Sequence, residues 1–201
     1  MVNNAPSVYK SPSVYKSAGG GGGGEIIRGY LEITYKYPYT KIGDKFYTCK
    51  NLDEIFSGIH DGYDGTNPAA QRFYNGLFGR YYNSAAIPIV DNYLQNNTDG
   101  WRVCTKNDID DLGQNTETKD IIDFNFVSSI EMSNKYLLSI QPNGHYQNAS
   151  PQQVYERCFL WTSTKDGSNN YYTQILALTM ATTSLYGTGD RYMALRLCKD
   201  A

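Results

Sequence analysis

Few side chains in this sequence are suited to chemistry, and their spacing argues against most of what they could do. The four cysteines, Cys49, Cys104, Cys158 and Cys198, are widely separated and no C-x-x-C pair occurs. The only imidazoles are His60 and His145. A zinc site takes three or four thiolate or imidazole ligands, commonly in close pairs, and this set does not supply them. Residues 60–67, His-Asp-Gly-Tyr-Asp-Gly-Thr-Asn, have acidic spacing but miss the EF-hand pattern and read as a Gly/Asp-rich surface loop. Ser, His and Asp are all present, yet no G-x-S-x-G elbow presents a nucleophile. No sequence feature marks a thiol as ionised, so the cysteines read as reduced and buried. The expectation is a non-enzymatic protein with no catalytic residue, no metal and no cofactor.

Tyrosine is the chemistry the sequence does emphasise, with 19 in 201 residues. A tyrosine ring gives a large contact area with few rotors to freeze, and its hydroxyl adds a hydrogen bond. That combination suits recognition of sugar rings and protein surfaces. The C-terminal part mixes Tyr with Asn, Ser and Thr beside turns. Its candidate ligand-binding residues are Asn169, Asn170, Tyr171, Tyr172, Thr183, Tyr186, Asp190, Arg191 and Tyr192, expected to be displayed in loops. Tyr30, Tyr35, Tyr37 and Tyr136 read instead as strand residues that pack.

The elements that must hold these residues follow from local signals. Residues 100–112 read Gly-Trp-Arg-Val-Cys-Thr-Lys-Asn-Asp-Ile-Asp-Asp-Leu. A strand-like approach ends at Thr105, which can N-cap a helix, with Asp108 at N3 against the orphan amides and the dipole. Ile109 and Leu112 share one face, and Gly113 is expected to end the helix. From Glu25 to Tyr39 one half-buried strand is predicted, with Ile27, Leu31, Ile33, Tyr35 and Tyr37 on one face and Arg28, Glu32, Thr34 and Lys36 on the other. Short helices are expected within Asn51–Gly58, from Asn67-Pro68, and at the capping box Ser150-Pro151-Gln152-Gln153. After Arg157 strands are predicted over 158–163, 170–180 and 191–198, with turns at Asp166-Gly167 and Gly187-Thr188-Gly189-Asp190. The fold class is α+β, with a strand-rich C-terminal half.

Residues 1–24 differ in kind from the single domain expected over 25–201. Pro-Ser-Val-Tyr-Lys-Ser occurs twice over residues 6–17, and six glycines follow, Gly19 to Gly24. A glycine run is a flexible tether. A tether alone has no need of Val8, Tyr9 and Lys10 matched by Val14, Tyr15 and Lys16, so these six read as anchors that dock an extended peptide into a partner's groove or sheet edge. Basic and acidic side chains nearly balance, 18 against 20, without a basic cluster, which argues against nucleic acid. No apolar stretch approaches the length of a membrane span, and no signal peptide is visible.

The order of several motifs resembles the "major paralogous" (FISUMP) domains, which have a C-type-lectin-like fold. Gly100-Trp101-Arg102 with Thr105 and Asp108 is similar to that family's GWR-x-PT-x-x-E/D signature, with Cys104 in place of its proline. Lys41–Tyr47 and Lys50-Asn51-Leu52 resemble its opening hairpin, and Gly79-Arg80-Tyr81 its G-R-L-Y step. Gln141–Tyr146 occupies the place of LPAGYR. Phe159–Thr164, with Trp161 and Ser163, is similar to YFWSSTE, and Ala194–Asp200, with Arg196, to SVRCVKD. The resemblance implies a fold and a habit of ligand display rather than one reaction. It also suggests a lectin-style disulfide, Cys158 with Cys198, as the rival to free thiols. Gln141-Pro142-Asn143 is similar to the calcium- and sugar-binding tripeptide of true C-type lectins, but the companion Trp-Asn-Asp is replaced by Trp161-Thr162-Ser163, which lacks the carboxylate.

Some phages use this fold in their receptor-binding protein. With the repeats and tether, that makes a bacteriophage virion protein the leading expectation: a head fibre, decoration or receptor-binding subunit, made without a leader and located in the virion. The tail would hold a capsid or tail protein, and the domain would bind a host-surface glycan or protein. A homo-oligomer, a trimer among the forms, is the expected assembly. A bacterial surface adhesin or lipoprotein domain is the alternative, and a formylglycine-generating type of enzyme the second.

Overall fold

The computed structural model of the chain describes residues 13–15, 26–62, 69–75, 79–115, 143–147, 150–154, 156–177, 180–186 and 191–201. The strands before the first helix are β1 (Ser13–Tyr15), β2 (Ile26–Glu32), β3 (Lys36–Ile42), β4 (Lys45–Thr48), β5 (His60–Asp61), β6 (Ala70–Asn75) and β7 (Gly79–Asn83). Then come α1 (Ile87–Asn97), β8 (Arg102–Val103) and α2 (Lys106–Asn115). The remainder is sheet: β9 (His145–Gln147), β10 (Ser150–Gln152), β11 (Cys158–Lys165), β12 (Tyr171–Ala177), β13 (Met180–Tyr186), β14 (Tyr192–Leu195) and β15 (Leu197–Asp200). The fold is therefore α+β and mostly sheet, with two short helices among the described residues.

One sheet has the order β1-β2-β3-β4-β15-β8, and the other runs β13-β12-β11-β14-β7-β6-β5 with β9 and β10 joined beside β14. β14 is buried at all of its four residues, Tyr-Met-Ala-Leu. A continuously apolar strand suits the middle of a sheet, and β14 lies parallel to β11 and antiparallel to β7. Arg196 then carries the chain from one sheet into the other. It is fully buried, and its Nη1 donates to the Thr48 carbonyl at 2.8 Å. Between the sheets lies a core that includes Trp161, Tyr82, Leu52, Leu94, Met193 and Leu195. Trp161 Nε1 donates to the Tyr82 carbonyl at 2.8 Å, so the largest buried ring also satisfies its one polar atom.

A side-chain cap starts α2 directly, and another starts the 3-10 turn that leads into α1. Asn83 Oδ1 accepts from the Ala86 amide at 3.2 Å, starting a 3-10 turn (Ser84–Ala86) that runs into α1. Pro88 stands at the start of α1, and Ile87, Val90 and Leu94 are its buried stripe. Asp91 Oδ1 accepts from the Val103 amide at 2.8 Å and fixes α1 to β8. At α2 the capping box forms as expected. Thr105 Oγ1 accepts from the Asp108 amide at 3.1 Å, and Asp108 Oδ2 accepts from the Thr105 amide at 2.7 Å. Ile109 and Leu112 are buried. The helix runs on to Asn115, so Gly113 does not end it.

Several expected elements are different in the structure. The single strand over Glu25–Tyr39 is a hairpin, β2 and β3, paired Gly29↔Tyr39 and Leu31↔Tyr37. Its connection is held from afar: Glu54 Oε1 accepts from the amides of Thr34 and Tyr35 at 3.1 and 2.9 Å. Tyr30 and Tyr35, expected to pack, are exposed, whereas Tyr37 is fully buried; Tyr136 lies outside the described residues. Asn51–Gly58 is not helical. Its amides go elsewhere, Leu52 to the Leu195 carbonyl and Asp53 and Glu54 to the hydroxyls of Tyr37 and Tyr82. Ala70, beyond Asn67-Pro68, begins a strand, and Ser150–Gln152 is a strand paired with β9 rather than a helix start. The strand predicted over 170–180 ends at Ala177, and Met180–Tyr186 forms a separate strand against it. Ser13–Tyr15, inside the expected tail, is an edge strand on β2.

Candidate functional site

The residues expected to bind ligand do not form one surface. Tyr171 is 4 % exposed and packs edge-on against Trp161, and Tyr192 is 2 % exposed with the Arg72 guanidinium 5.1 Å from its ring centroid. Both are core residues, which corrects their expected display in loops. They also lie at opposite ends of β11. Tyr171 pairs with Lys165, while the register Leu160↔Ala194 sets Tyr192 level with Cys158. Seven strand steps separate the two, roughly 23 Å at the usual rise. Near the Lys165 end, Asp166 closes a tight loop: its Oδ1 accepts from the amides of Ser168 and Asn170 at 2.9 and 2.8 Å. The Asn170 amide side chain and these backbone donors hold the Asp166 carboxyl below its ordinary value. Asn169, at φ 63°, and Asn170 are turn residues of this loop. Tyr172 is half-buried, its carbonyl accepting from Thr162 Oγ1 at 2.8 Å. Thr183 and Tyr186 pair with Gln174 and Tyr171, Arg191 is half-buried, and Asp190 lies outside the described residues.

The residues of the family-like motifs have structural work. Gly79 and Gly100 adopt positive φ, 75° and 70°. Arg80 Nε lies 3.3 Å from Asp53 Oδ1. Tyr81 donates to the Asn143 carbonyl, Trp101 is in the core, and Ser163 Oγ donates to the Val103 carbonyl at 3.1 Å. Asn143 is fully buried, and its Oδ1 accepts from the Phe159 amide at 3.0 Å. That amide is committed to the backbone, and Gln141-Pro142 lies outside the described residues. Of the tail anchors, Val14 and Tyr15 pair with Ile27 and Ile26 in β1, while Val8, Tyr9, Lys10 and Lys16 lie outside the described residues.

All four cysteines are free and buried. Cys104, Cys158 and Cys198 share one cluster with Tyr47, Ile109 and Leu112. Cys198 does not meet Cys158 in a disulfide, which corrects the pairing suggested by lectins. Its thiol hydrogen-bonds with Cys104 and donates to Asp108 Oδ2 at 3.3 Å, and the Cys104 contact with burial raises it far above the ordinary thiol value. Burial pushes the Cys158 thiol up to about 12. His145 is pushed down by burial, with its ring 4.5 Å from that of Phe159.

The sequence reading missed a cleft of about 270 Å³ beside α1. Its walls are the β2–β3 turn at Ile33 and Thr34, the segment Glu54–Ser57, and Ile89, Asn92, Tyr93, Asn96 and Asn97 of the helix. Phe56 and Tyr93 stack edge-to-face at 5.1 Å between centroids. Ile55, 64 % exposed, stands at its rim. The wall carries amides, hydroxyls and apolar groups, and its one charged side chain among the described residues, Glu54, is buried and already holds the β2–β3 turn. The signal that could have shown the site is the composition of α1, Ile-Pro-Ile-Val-Asp-Asn-Tyr-Leu-Gln-Asn-Asn, with three asparagines and one charge.

Fold and cleft together define a strand-rich α+β protein with an amide-lined surface site. Comparison of the chain with protein-family models, with curated proteins and with solved structures found no match.

Proposed function

We propose that the chain is a non-enzymatic bacteriophage virion protein, a head fibre, decoration or receptor-binding subunit. In this reading a C-type-lectin-like domain is displayed outward to bind a host-surface glycan or protein, and the N-terminal repeats hold it to a capsid or tail protein. One observation carries the reading. The second repeat copy supplies β1, which adds to the open edge of β2 with Val14 opposite Ile27. The hexapeptide is thus a strand-forming unit, and β2 offers it one place while the sequence holds two copies. The other copy, Ser7-Val8-Tyr9, repeats that sequence, and its role in this reading is to add the same strand to a partner's sheet edge. Residues 16–25, mostly glycine, give such a tail reach, and many tethered copies on one particle would raise effective ligand affinity.

The test is a paired pull-down from a lysate of the producing cells, with the full chain and a chain lacking residues 1–11 as baits, read by mass spectrometry. Capsid or tail proteins retained by the full chain alone, with equal melting temperatures for both baits, support the reading. Envelope proteins or glycans retained equally by both baits would overturn it in favour of a surface adhesin.

A further inference from the structure

The α1 cleft has features that a solvated helix face does not need. Ile87, Val90 and Leu94 bury one stripe of the helix. Ile89, Asn92, Tyr93 and Asn96, spaced i, i+3, i+4, i+7, form a second row that lines the cleft. An ordinary exposed row would be filled with Lys, Glu, Gln or Ala, which favour the helix. Asparagine ranks low in helices because its side chain competes for the backbone, so Asn92 and Asn96 work against the element that carries them. Residues that break a local rule without a packing gain mark functional positions. Packing does not account for these two: both are exposed, and the hydrogen bonds between them run from Asn96 to Asn92. Asn96 Nδ2 donates to Asn92 Oδ1 at 3.2 Å and to the Asn92 carbonyl at 2.7 Å. This arrangement orients the two amides and leaves the Asn92 amide nitrogen as a donor and Asn96 Oδ1 as an acceptor.

We propose that this cleft is a binding site for a neutral saccharide. A sugar ring has an apolar C–H face and a rim of hydroxyls that both donate and accept. Tyr93, backed by the buried Phe56 ring, and Ile55 offer the apolar surface, and the Asn92 and Asn96 amides, with the Thr34 and Ser57 hydroxyls, offer both senses of hydrogen bond. Among the described residues no Lys, Arg or His lines the cleft, so these walls do not select a phosphate or carboxylate. Glu54 is committed to the amides of Thr34 and Tyr35, which sets the opposite wall before a ligand arrives. The inference rests on reading the domain as a displayed binding module. It moves the ligand away from the C-terminal tyrosines.

Saturation-transfer NMR on the full chain tests it, with neutral trisaccharides of glucose, galactose, mannose and N-acetylglucosamine at millimolar concentration. The expected result is transfer to the ring C–H protons of at least one probe. Tyr93→Ala should weaken that transfer at least ten-fold, and the double variant Asn92→Ala/Asn96→Ala should abolish it. The double variant should also melt at the same or a higher temperature, because alanine is the better helix former. Silence from all four probes, or transfer that survives in the double variant, overturns the proposal. So does loss of transfer together with a lowered melting temperature, since the amides would then be holding the helix. The measurement needs no particle, so its failure and a failure of tail attachment are read separately.

Discussion

The Cys198 thiol donates a hydrogen bond to Asp108 Oδ2 over 3.3 Å, so β15 is tied to the carboxylate that caps α2. The same carboxylate accepts from the amide and hydroxyl of Thr105, each at 2.7 Å, and its Oδ1 accepts from Arg102 Nη2 at 2.8 Å. A single buried side chain therefore joins a helix, the short strand before it and the strand paired with that one, β15.

Asp108→Asn should show a pH signature. Burial alone would raise the Asp108 carboxyl, but the Thr105 donors, Cys198 and the Arg102 charge outweigh it and hold it below the ordinary value. A group more acidic in the folded than the unfolded state stabilises fully above its unfolded pKa, about 3.9 for Asp. That stabilisation is lost as pH falls through the lower folded value. Urea melts should show the variant weaker by about 1–3 kcal/mol at neutral pH. The gap should shrink below about pH 4. A gap that stays constant with pH would mean the charge is not what stabilises.

Thiol accessibility should be all or nothing. With Cys158 pushed up to about 12 and Cys198 raised further, the buried thiols should ignore an aromatic disulfide reagent in the native protein at pH 8. Unfolding in guanidinium without reductant should release all four. A count below four would reveal a disulfide, and rapid labelling of one thiol in the native state would reopen a catalytic role.

Gly29→Ala should destabilise, against the usual trend. Replacing a strand glycine commonly helps, by about 0.5–1 kcal/mol. Here Gly29 faces Tyr39 across the hairpin, and a methyl group would overlap the Tyr39 hydroxyl. The ring has little room to yield, since Trp101 and Phe46 each lie 5.2 Å from it. A loss of about 1–3 kcal/mol is expected from overpacking. A variant as stable as the parent would show that Tyr39 can swing away.

Trp161→Phe keeps an aromatic ring but removes the donor to the Tyr82 carbonyl and part of the buried bulk. The lost hydrogen bond and the void left by the smaller ring should together cost about 1–3 kcal/mol in denaturant melts. Equal stability would mean that the core closes around the smaller ring and that the indole hydrogen bond adds nothing net.

The sequence was most legible where structure is decided locally. The Thr105–Asp108 cap and the strand from Cys158 depend on neighbours within a few residues, and they are where they were expected. The strands expected over 170–180 and 191–198 each divide, at Ala177 and at Arg196, where the tertiary fold turns the chain. α1 was equally legible and was passed over: Asn83 as cap, Pro88, and the Ile87, Val90, Leu94 spacing all announce it. The β2–β3 turn was not legible. Ile33-Thr34-Tyr35 contains no Gly or Pro, and alternation runs straight through it, because the partner of its amides is Glu54, about twenty residues away. Asn51–Gly58 likewise shows helix signals that lose to hydroxyls and carbonyls reached through the tertiary fold. Tyr171 and Tyr192 looked like loop residues because their neighbours are turn formers, yet each is the first residue of a strand that enters the core.

The passage of β14 through Arg196 into β15 sets an order of events during synthesis. β14 sits between β11 and β7, and β15 between β4 and β8, so each sheet takes a central strand from residues 192–200. Neither sheet can close until the ribosome has released that stretch. Until then β4, β7 and β11 present unpaired edges, and closing them demands contacts between distant parts of the sequence, which are slow to form. A nascent chain stalled before Tyr192 is accordingly the species most exposed to aggregation and to chaperones.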